Sequence, residues 1–291
     1  MKLYSKIVRR SALLAAIAMT PAMMPLGGEA NAASSAPHIE RQDWSFAGML
    51  GFYDRGQLQR GYQVYKEVCA SCHGMKFLHY RNLSEPGGPE FSKEAVKYLA
   101  STYEVQDGPD SEGQMYKRKG RASDAFVSPY ANEQEARASN SGAFPPDLSL
   151  ITKARNIHEE VPFYMAPLKI AQDIATGYQE GGADYVYAIM TGYADEPEGM
   201  ELADGMSYNK YFSGHQIAMP NPLAEEVVEY TDGTAMTVEN YAKDVTEFLM
   251  WAAEPKLEER KRLGFRVLFY LLTLSGLMFF VKRIVWKDIP H

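Results

Sequence analysis

Around residues 54–68 the apolar positions fall at Leu58, Gly61/Tyr62, Tyr65 and Val68. Spacings of three, four and seven keep them on one face of a helix. Asp54 precedes them as an N-cap, with Gln57 three positions on, as in a capping box with Asp at the cap. The predicted helix runs straight into Cys69. An extended lead-in, residues 33–53, comes before it. Short helical stretches occupy 93–99 and 133–138, set among Gly, Pro, Asp and Ser, with little of the two-residue alternation of a strand. Phe144-Pro145-Pro146-Asp147-Leu148 predicts a stiff turn, because each proline fixes its own φ and restrains the residue before it. Residues 151–183 carry another helical pattern, which Gly181-Gly182 break. Residues 185–190 predict an apolar helix ending at Gly192, and 194–234 are loop-rich and acidic. A strong helix closes this stretch. Thr237 is its N-cap; Val238, Tyr241, Val245, Phe248, Leu249 and Ala252 share a face; Pro255 ends it. There is no internal repeat. The pattern predicts one mainly α domain whose long loops need something to organise them.

The two ends break this pattern. Lys2, Lys6, Arg9 and Arg10 precede a short apolar core at 12–19, and Ala30-Asn31-Ala32 is an A-x-A site. This reads as a signal peptide, 1–32, cleaved after Ala32. A first membrane anchor is the alternative, but the core is short for it, and Pro21, Pro25, Gly27 and Gly28 interrupt the residues after the core. Near the other end, 267–281 is a charge-free run of 15 residues. At about 1.5 Å per residue it covers roughly 22 Å, against a bilayer core of about 30 Å. Residues 263–286 supply the missing length if Arg266, Lys282 and Arg283 snorkel to the interfaces. Tyr270 and Trp286 suit the interfacial belts. A buried amphipathic helix would show a polar stripe, and this run has none. The expected order is therefore signal 1–32, exported domain 33–255, charged linker 256–262, transmembrane anchor 263–286 and cytoplasmic tail 287–291. Basic residues do not fix the orientation. Arg260, Lys261, Arg262 and Arg266 on one side face Lys282, Arg283 and Lys287 on the other. The signal does fix it, by exporting everything before the anchor.

Charge narrows the partners. The 291 residues carry a formal net charge of −7. Loss of residues 1–32 removes four bases and one acid, which leaves 26 basic against 36 acidic side chains, or −10. Nucleic acid is excluded as a partner on that balance. An acidic exported domain attracts a basic soluble partner; mere solubility is the plainer reading. The chain has two cysteines, Cys69 and Cys72. Exported proteins often hold structural disulfides, but no third cysteine exists here, so these two act together.

Cys69-Ala70-Ser71-Cys72-His73 is C-x-x-C-H, the attachment signature of a c-type haem. Two thiols three residues apart can bond two vinyl groups on one haem edge, and the adjacent histidine reaches the iron. Three other readings exist. A thioredoxin-like pair opens a helix after a strand, whereas these cysteines close one. Zinc needs about four ligands. A lone disulfide leaves His73 unexplained. A sixth ligand would decide between a carrier and a small-molecule binder, because iron held by His and Met has no vacancy. Most of the 15 methionines are core or filler by default. Met219 stands out in the proline-rich Met219-Pro220-Asn221-Pro222 loop before the last soluble helix. Met190, Met200, Met206, Met236, His79, His158 and His215 remain open as rivals; His215 is a bis-histidine alternative only four residues away.

The run from Arg60 through C-x-x-C-H to Met75 resembles the haem-binding segment of the cytochrome c1 family, a core subunit of the cytochrome bc1 complex (ubiquinol–cytochrome c oxidoreductase). Residues 105–109, 142–149, 191–193, 230–234, 242–245 and 251–255 are similar to that family in the same order, with a tail anchor behind them. The resemblance covers nearly the whole mature chain and implies a class I cytochrome c-like haem domain with long loops plus one C-terminal transmembrane helix. It implies one covalent haem c on Cys69 and Cys72, with His73 and Met219 as axial iron ligands. Arg155 matches a haem-propionate arginine, Tyr193 a tyrosine close to the haem, and Pro145 and Pro146 a turn packed on the ring. Without the resemblance, Arg155 reads as a surface charge and Tyr193 as a core aromatic.

The implied function is one-electron transfer in a respiratory or photosynthetic bc1 complex, from the Rieske iron–sulfur protein to a soluble or membrane-anchored c-type cytochrome. Cytochrome b is a further implied partner, the complex is implied to be dimeric, and the haem domain is expected in the periplasm of a bacterial inner membrane. Acidic stretches at 107–112 and 195–204 are candidates for steering a basic carrier. Two other classes stay open: a membrane-anchored cytochrome serving another dehydrogenase or oxidase, and a thiol–disulfide protein without haem. Residues 157–183 look longer than the mitochondrial pattern, like an insertion of a bacterial kind. The extra cysteine pair of some bacterial relatives is absent.

Overall fold

The computed structural model describes residues 38–156, 161–176 and 181–288; the expected signal peptide, 1–32, lies outside them. Helix α1 (Arg55–Glu67) starts where expected, with the Asp54 carboxylate accepting from the Gln57 amide at 2.9 Å. Then come α2 (Lys93–Ser101), the ribbon β1 (Glu104–Asp107) with β2 (Tyr116–Lys119), α3 (Glu133–Ser139), α4 (Ile151–Ala154), α5 (Ala166–Thr176) and α6 (Gly181–Thr191). The ribbon β3 (Ser207–Tyr208) with β4 (Gln216–Ile217) precedes α7 (Val238–Ala253) and α8 (Leu257–Val285). Both ribbons are antiparallel, with Glu104 opposite Lys119 and Ser207 opposite Ile217. The hydrophobic pattern did not predict β1 and β2, because each residue there is exposed or only half-buried and no apolar face forms.

The mainly α expectation holds, and α1 crossing α7 makes the centre of the core. They meet at Gly61, where a Cβ would lie 2.0 Å from the Asp244 carbonyl oxygen and 2.7 Å from Phe248 Cβ. The Phe248 ring then lies edge-on to Tyr62 (5.6 Å) and tilted against Tyr65 (5.8 Å) and Trp251 (5.5 Å). Val64, off the predicted stripe, is fully buried as well. On the predicted stripe, Tyr62 also meets Phe91 and Phe126.

Helix α7 is buried almost all round, since α1, α4 and α6 all pack on it. Polar Asp244, Thr246 and Glu247 are therefore buried with the expected apolar face. Asp244 accepts from Arg60 Nε at 2.8 Å and from the Tyr230 hydroxyl at 2.8 Å, yet burial still raises its carboxyl above the usual range. Glu247 accepts from the Ser45 hydroxyl and from the Asp54 amide through one oxygen. Its other oxygen has no hydrogen-bond partner among the described residues. Burial pushes this carboxyl up to about 7, against those hydrogen bonds, which lower it.

Two boundaries differ from those expected of the sequence. Gly181-Gly182 open α6 rather than break a helix. A Cβ on Gly182 would lie 1.7 Å from the Thr152 carbonyl oxygen, so the glycine lets α6 begin against α4. Of the charged stretch 256–262, Lys256 is the N-cap of α8 and residues 257–262 are its first turns. Its charges are taken up by the domain. Glu258 is buried and receives Arg55 on both oxygens (2.7 and 2.9 Å) and the Tyr53 amide at 3.2 Å. Lys261 Nζ donates to the carbonyls of Phe46 (2.6 Å) and Gly51 (3.1 Å). Arg260 pairs with Glu254. From Leu263 onward α8 is exposed along almost its whole length. Among the described residues it is the one helix long and apolar enough to cross a membrane.

Candidate functional site

Helix α1 delivers the chain to a short 3-10 turn, Cys69–Ser71. The amides of Cys72 (3.1 Å) and His73 (2.9 Å) both donate to the Cys69 carbonyl, which folds two thiols and an imidazole onto one turn. Both cysteines are free and half-buried. Burial, with the Cys72 thiol adding to it, pushes the Cys69 thiol up to about 12. That direction is opposite to thiols activated at helix N-termini for redox exchange.

His73 is held from the other side. Its Nδ1 lies 2.8 Å from the Pro146 carbonyl oxygen. A carbonyl only accepts, so Nδ1 carries the proton and Nε2 keeps its lone pair. Burial lowers the pKa of this imidazole, and the Pro146 bond only partly opposes it. The neutral ring is the form that binds a metal. The Tyr65 hydroxyl donates to the His73 carbonyl at 3.2 Å.

The Pro-Pro turn reaches His73 because hydrogen bonds stitch it to the motif. The Leu148 amide donates to the Gly74 carbonyl (2.9 Å), the Lys76 amide to the Asp147 carboxylate (2.9 Å) and the Phe77 amide to the Ser149 hydroxyl (3.1 Å). Asp147 also accepts from the Ser149 amide at 3.0 Å, an Asx turn. Asp147 was not among the residues singled out from the sequence, although an Asp two residues before a Ser is a local signal for this turn. Pro145 is half-buried and Pro146 exposed beside the motif.

Met219 belongs to a second group. It is half-buried, and its carbonyl accepts from the Tyr193 hydroxyl at 3.0 Å. Tyr193 pairs with Asn209 in an isolated antiparallel bridge, and burial raises its phenol pKa. Asn209 is fully buried. Its amide group donates to the Ile189 carbonyl at 2.8 Å and accepts from the amides of Tyr211 (3.0 Å) and Phe212 (3.2 Å). One side chain thus ties the end of α6 to the β3–β4 hairpin and, through Tyr193, to the Met219 loop. Its bonds from the amides two and three positions on make a local turn, whereas the bond to Ile189, 20 positions back, leaves no mark in the local sequence.

The rivals of Met219 are spread over the fold. Met190 and Met236 pack against the main core, Met206 is exposed and Met200 half-buried. His79 begins the 3-10 turn Tyr80–Ser84 and bridges Ala125. His215 lies in the hairpin with φ of 59°, its ring 5.8 Å from Tyr208 and its Nδ1 3.3 Å from the Asn209 carbonyl oxygen. His158 lies outside the described residues.

Arg155 ends α4 and is exposed; it lies near Tyr185, where it lowers a phenol pKa that burial raises. Among the described residues no hydrogen bond joins Arg155 to His73 or to Met219, and none joins the His73 group to the Met219 group. Both groups rest on the same core: Val68, Cys69 and Ala70 pack against it from one, Tyr187 and Met190 from the other. The donors fit a haem: two thiols, a neutral imidazole with Nε2 available and a thioether on a separately braced loop. Among the described residues no three His, Cys, Asp or Glu side chains stand together to hold a metal ion, so the zinc reading lacks donors.

The acidic loops are unequal. Asp107 pairs with Arg118, which also binds Asp124 at 2.6 Å. Asp195, Glu196, Glu198, Glu201 and Asp204 are all exposed, on the loop between Tyr193 and β3.

Residues 44–289 match the model of the cytochrome c1 family. A cytochrome b/c1 protein of Bradyrhizobium diazoefficiens is 53% identical over 246 residues, which are 84% of this chain and 35% of that protein. The chain therefore spans about a third of that relative's length. Cytochrome c1 of Rhodospirillum rubrum is 40% identical over 301 residues, covering 98% of this chain and 99% of the relative. Cytochrome c1 of Blastochloris viridis is 44% identical over 254 residues, 87% of each chain.

Proposed function

The chain belongs to the cytochrome c1 family, and from that premise we propose that it is the membrane-anchored haem subunit of a bc1 complex, relaying single electrons. The proposal places one haem on Cys69 and Cys72 through thioether bonds, with His73 Nε2 and the Met219 sulfur as axial ligands. Electrons come from the Rieske iron–sulfur protein and leave to a c-type cytochrome. Cytochrome b is the membrane partner, as the name of the b/c1 relative suggests. The complex is dimeric, and the haem domain faces the periplasm of a bacterial inner membrane.

When bound, haem supplies a one-electron iron couple. This chain's residues set its conditions. Cys69 and Cys72 keep the cofactor from leaving the exported protein. The Pro146 carbonyl fixes the His73 tautomer and strengthens Nε2 as a donor. Met219 brings a soft sulfur that raises the reduction potential, and Tyr193 anchors its backbone. Pro145 and Pro146 would pack against the bound group, and Arg155 would pair with a propionate. With His73 and Met219 both holding the iron, no place would remain for an exchangeable ligand, and partners would meet the exposed edge of the site. The acids of 195–204, close in sequence to Tyr193, are the better candidates for steering a basic carrier; Asp107 is tied to Arg118, which it shares with Asp124.

The observation that carries this reading is the His73–Pro146 hydrogen bond directly after two free thiols. It is tested by redox titration and optical spectra of Met219→Leu beside the native holo-protein. The potential is expected to fall by on the order of a few tenths of a volt, since axial ligands tune haem over about 0.8 V, and carbon monoxide should bind. A potential and spectrum unchanged from the native protein would remove Met219 from the iron.

A further inference from the structure

Residues 46–52, Phe-Ala-Gly-Met-Leu-Gly-Phe, contain no polar side chain. They form a loop closed at its root by the Phe52 amide on the Ser45 carbonyl at 3.0 Å. The root is buried: Trp44, Phe46 and Tyr53 all belong to the core. The tip is not. Met49 is 57% exposed, Leu50 72% and Phe52 47%. A loop tip normally carries polar residues, and this one presents three large apolar side chains to its surroundings.

The position of the loop says what those surroundings are. Lys261 of α8 donates to the carbonyls of Phe46 and Gly51, and the Arg262 guanidinium lies 5.9 Å from the Phe52 ring centre. The flanks of the loop are thereby fixed beside the second turn of α8. The exposed apolar surface of α8 begins at the next residue, Leu263, and its charge-free run at Val267. Five residues of helix from Arg262 to Val267 span about 7.5 Å. Each headgroup layer of a bilayer is roughly 5–8 Å thick. If α8 crosses the membrane, Phe52, beside Arg262, lies at the height of that layer. Arg266, exposed one turn further along α8, suits the phosphates there.

We propose that the 46–52 loop is a second membrane contact, an interfacial foot that inserts Met49, Leu50 and Phe52 at the headgroup–acyl boundary beside α8. The partner is the lipid surface. With two points of attachment, the foot and α8, the domain cannot pivot freely about the helix, and the exposed edge of the site keeps one height and tilt above the bilayer. The inference rests on α8 spanning the membrane and is independent of how haem is bound.

The test places a nitroxide on Leu50→Cys in the full-length, haem-matured chain with its accompanying subunits. The host is nanodiscs of phosphatidylcholine with phosphatidylglycerol. Relaxation by oxygen, which concentrates in acyl chains, is compared with relaxation by a water-soluble nickel chelate. Leu272→Cys on α8 and Tyr98→Cys on α2, both exposed in the chain, are the lipid and water references. The oxygen-to-nickel ratio at Leu50 is expected several-fold above that at Tyr98 and towards that at Leu272. A ratio equal to that of Tyr98 overturns the proposal. So does exclusion of both reagents, which would mean that another subunit covers the loop. A water-like ratio at Leu272 overturns it through its premise and leaves the haem assignment intact.

Discussion

At the scale of single residues, the site is built from short bonds that few sequence motifs announce. C-x-x-C-H was legible because all of its chemistry lies within five positions. The carbonyl that orients His73 comes from Pro146, 73 residues away, and only the family resemblance pointed there. The bond from Asn209 to Ile189 was hidden for the same reason, and Met219 was one sulfur among 15 methionines. The Tyr193 hydroxyl bond to the Met219 carbonyl gives a graded prediction. A neutral hydrogen bond contributes about 1 kcal/mol, so Tyr193→Phe should loosen the Met219 loop by roughly that amount. Titration with imidazole should then show about five-fold tighter displacement of the native ligand, with the protein otherwise folded. Unaltered imidazole affinity would mean that Tyr193 does not hold the loop. Asp147→Ala removes acceptors for the amides of Lys76 and Ser149. Bonds to a charged group are worth about 1.5–3 kcal/mol each. Urea unfolding should show a loss of roughly 2–4 kcal/mol.

Among the elements, α1 and α7 could be read from their caps and spacing, and Asp54 and Thr237 cap them as expected. What the pattern hid was the extent of burial on α7. Periodicity assumes one covered face, and α7 has neighbours nearly all round. The crossing at Gly61 makes a sharp prediction. Gly61→Ala drives a Cβ into the Asp244 carbonyl, and overpacking of this kind costs roughly 3 kcal/mol or more. A stable, unaltered Gly61→Ala protein would contradict the crossing. Glu247 adds a dependence on pH. Its folded carboxyl holds its proton up to about 7, above the ordinary value of 4.5. Between those two values the folded state binds more protons than the unfolded one, so stability falls as pH rises and is level above 7 for this group. The loss is at most roughly 3 kcal/mol. Glu247→Gln should abolish that slope, which denaturation of both proteins at pH 5 and pH 7.5 would reveal as a difference in their pH dependence.

At the scale of the whole molecule, the join between domain and anchor is the feature that charge composition concealed. Residues 256–262 look like a solvated linker in sequence, yet all but Lys256 are helical and the stretch is gripped by Arg55, Tyr53 and two backbone carbonyls. Breaking a pair with one buried partner is costly. Glu258→Ala should therefore lower stability by roughly 2–4 kcal/mol, seen in urea unfolding of the holo-protein. A chain ending at Arg262 keeps that clamp and loses the apolar part of α8. It should leave the membrane in a salt wash as a folded haem protein. Retention without other subunits present would show that α8 is not the principal anchor. Co-purification of the intact chain with a cytochrome b and a Rieske protein is the matching expectation for the complex.

The claim beneath all of this is that Cys69 and Cys72 hold a haem covalently. Intact-mass measurement of the chain matured in its own host, after denaturation and extraction of loose haem, tests it most directly. The account predicts a mass equal to the polypeptide plus one haem, and no thiol open to alkylation. A bare polypeptide mass, with both cysteines alkylated or joined to each other, would contradict it.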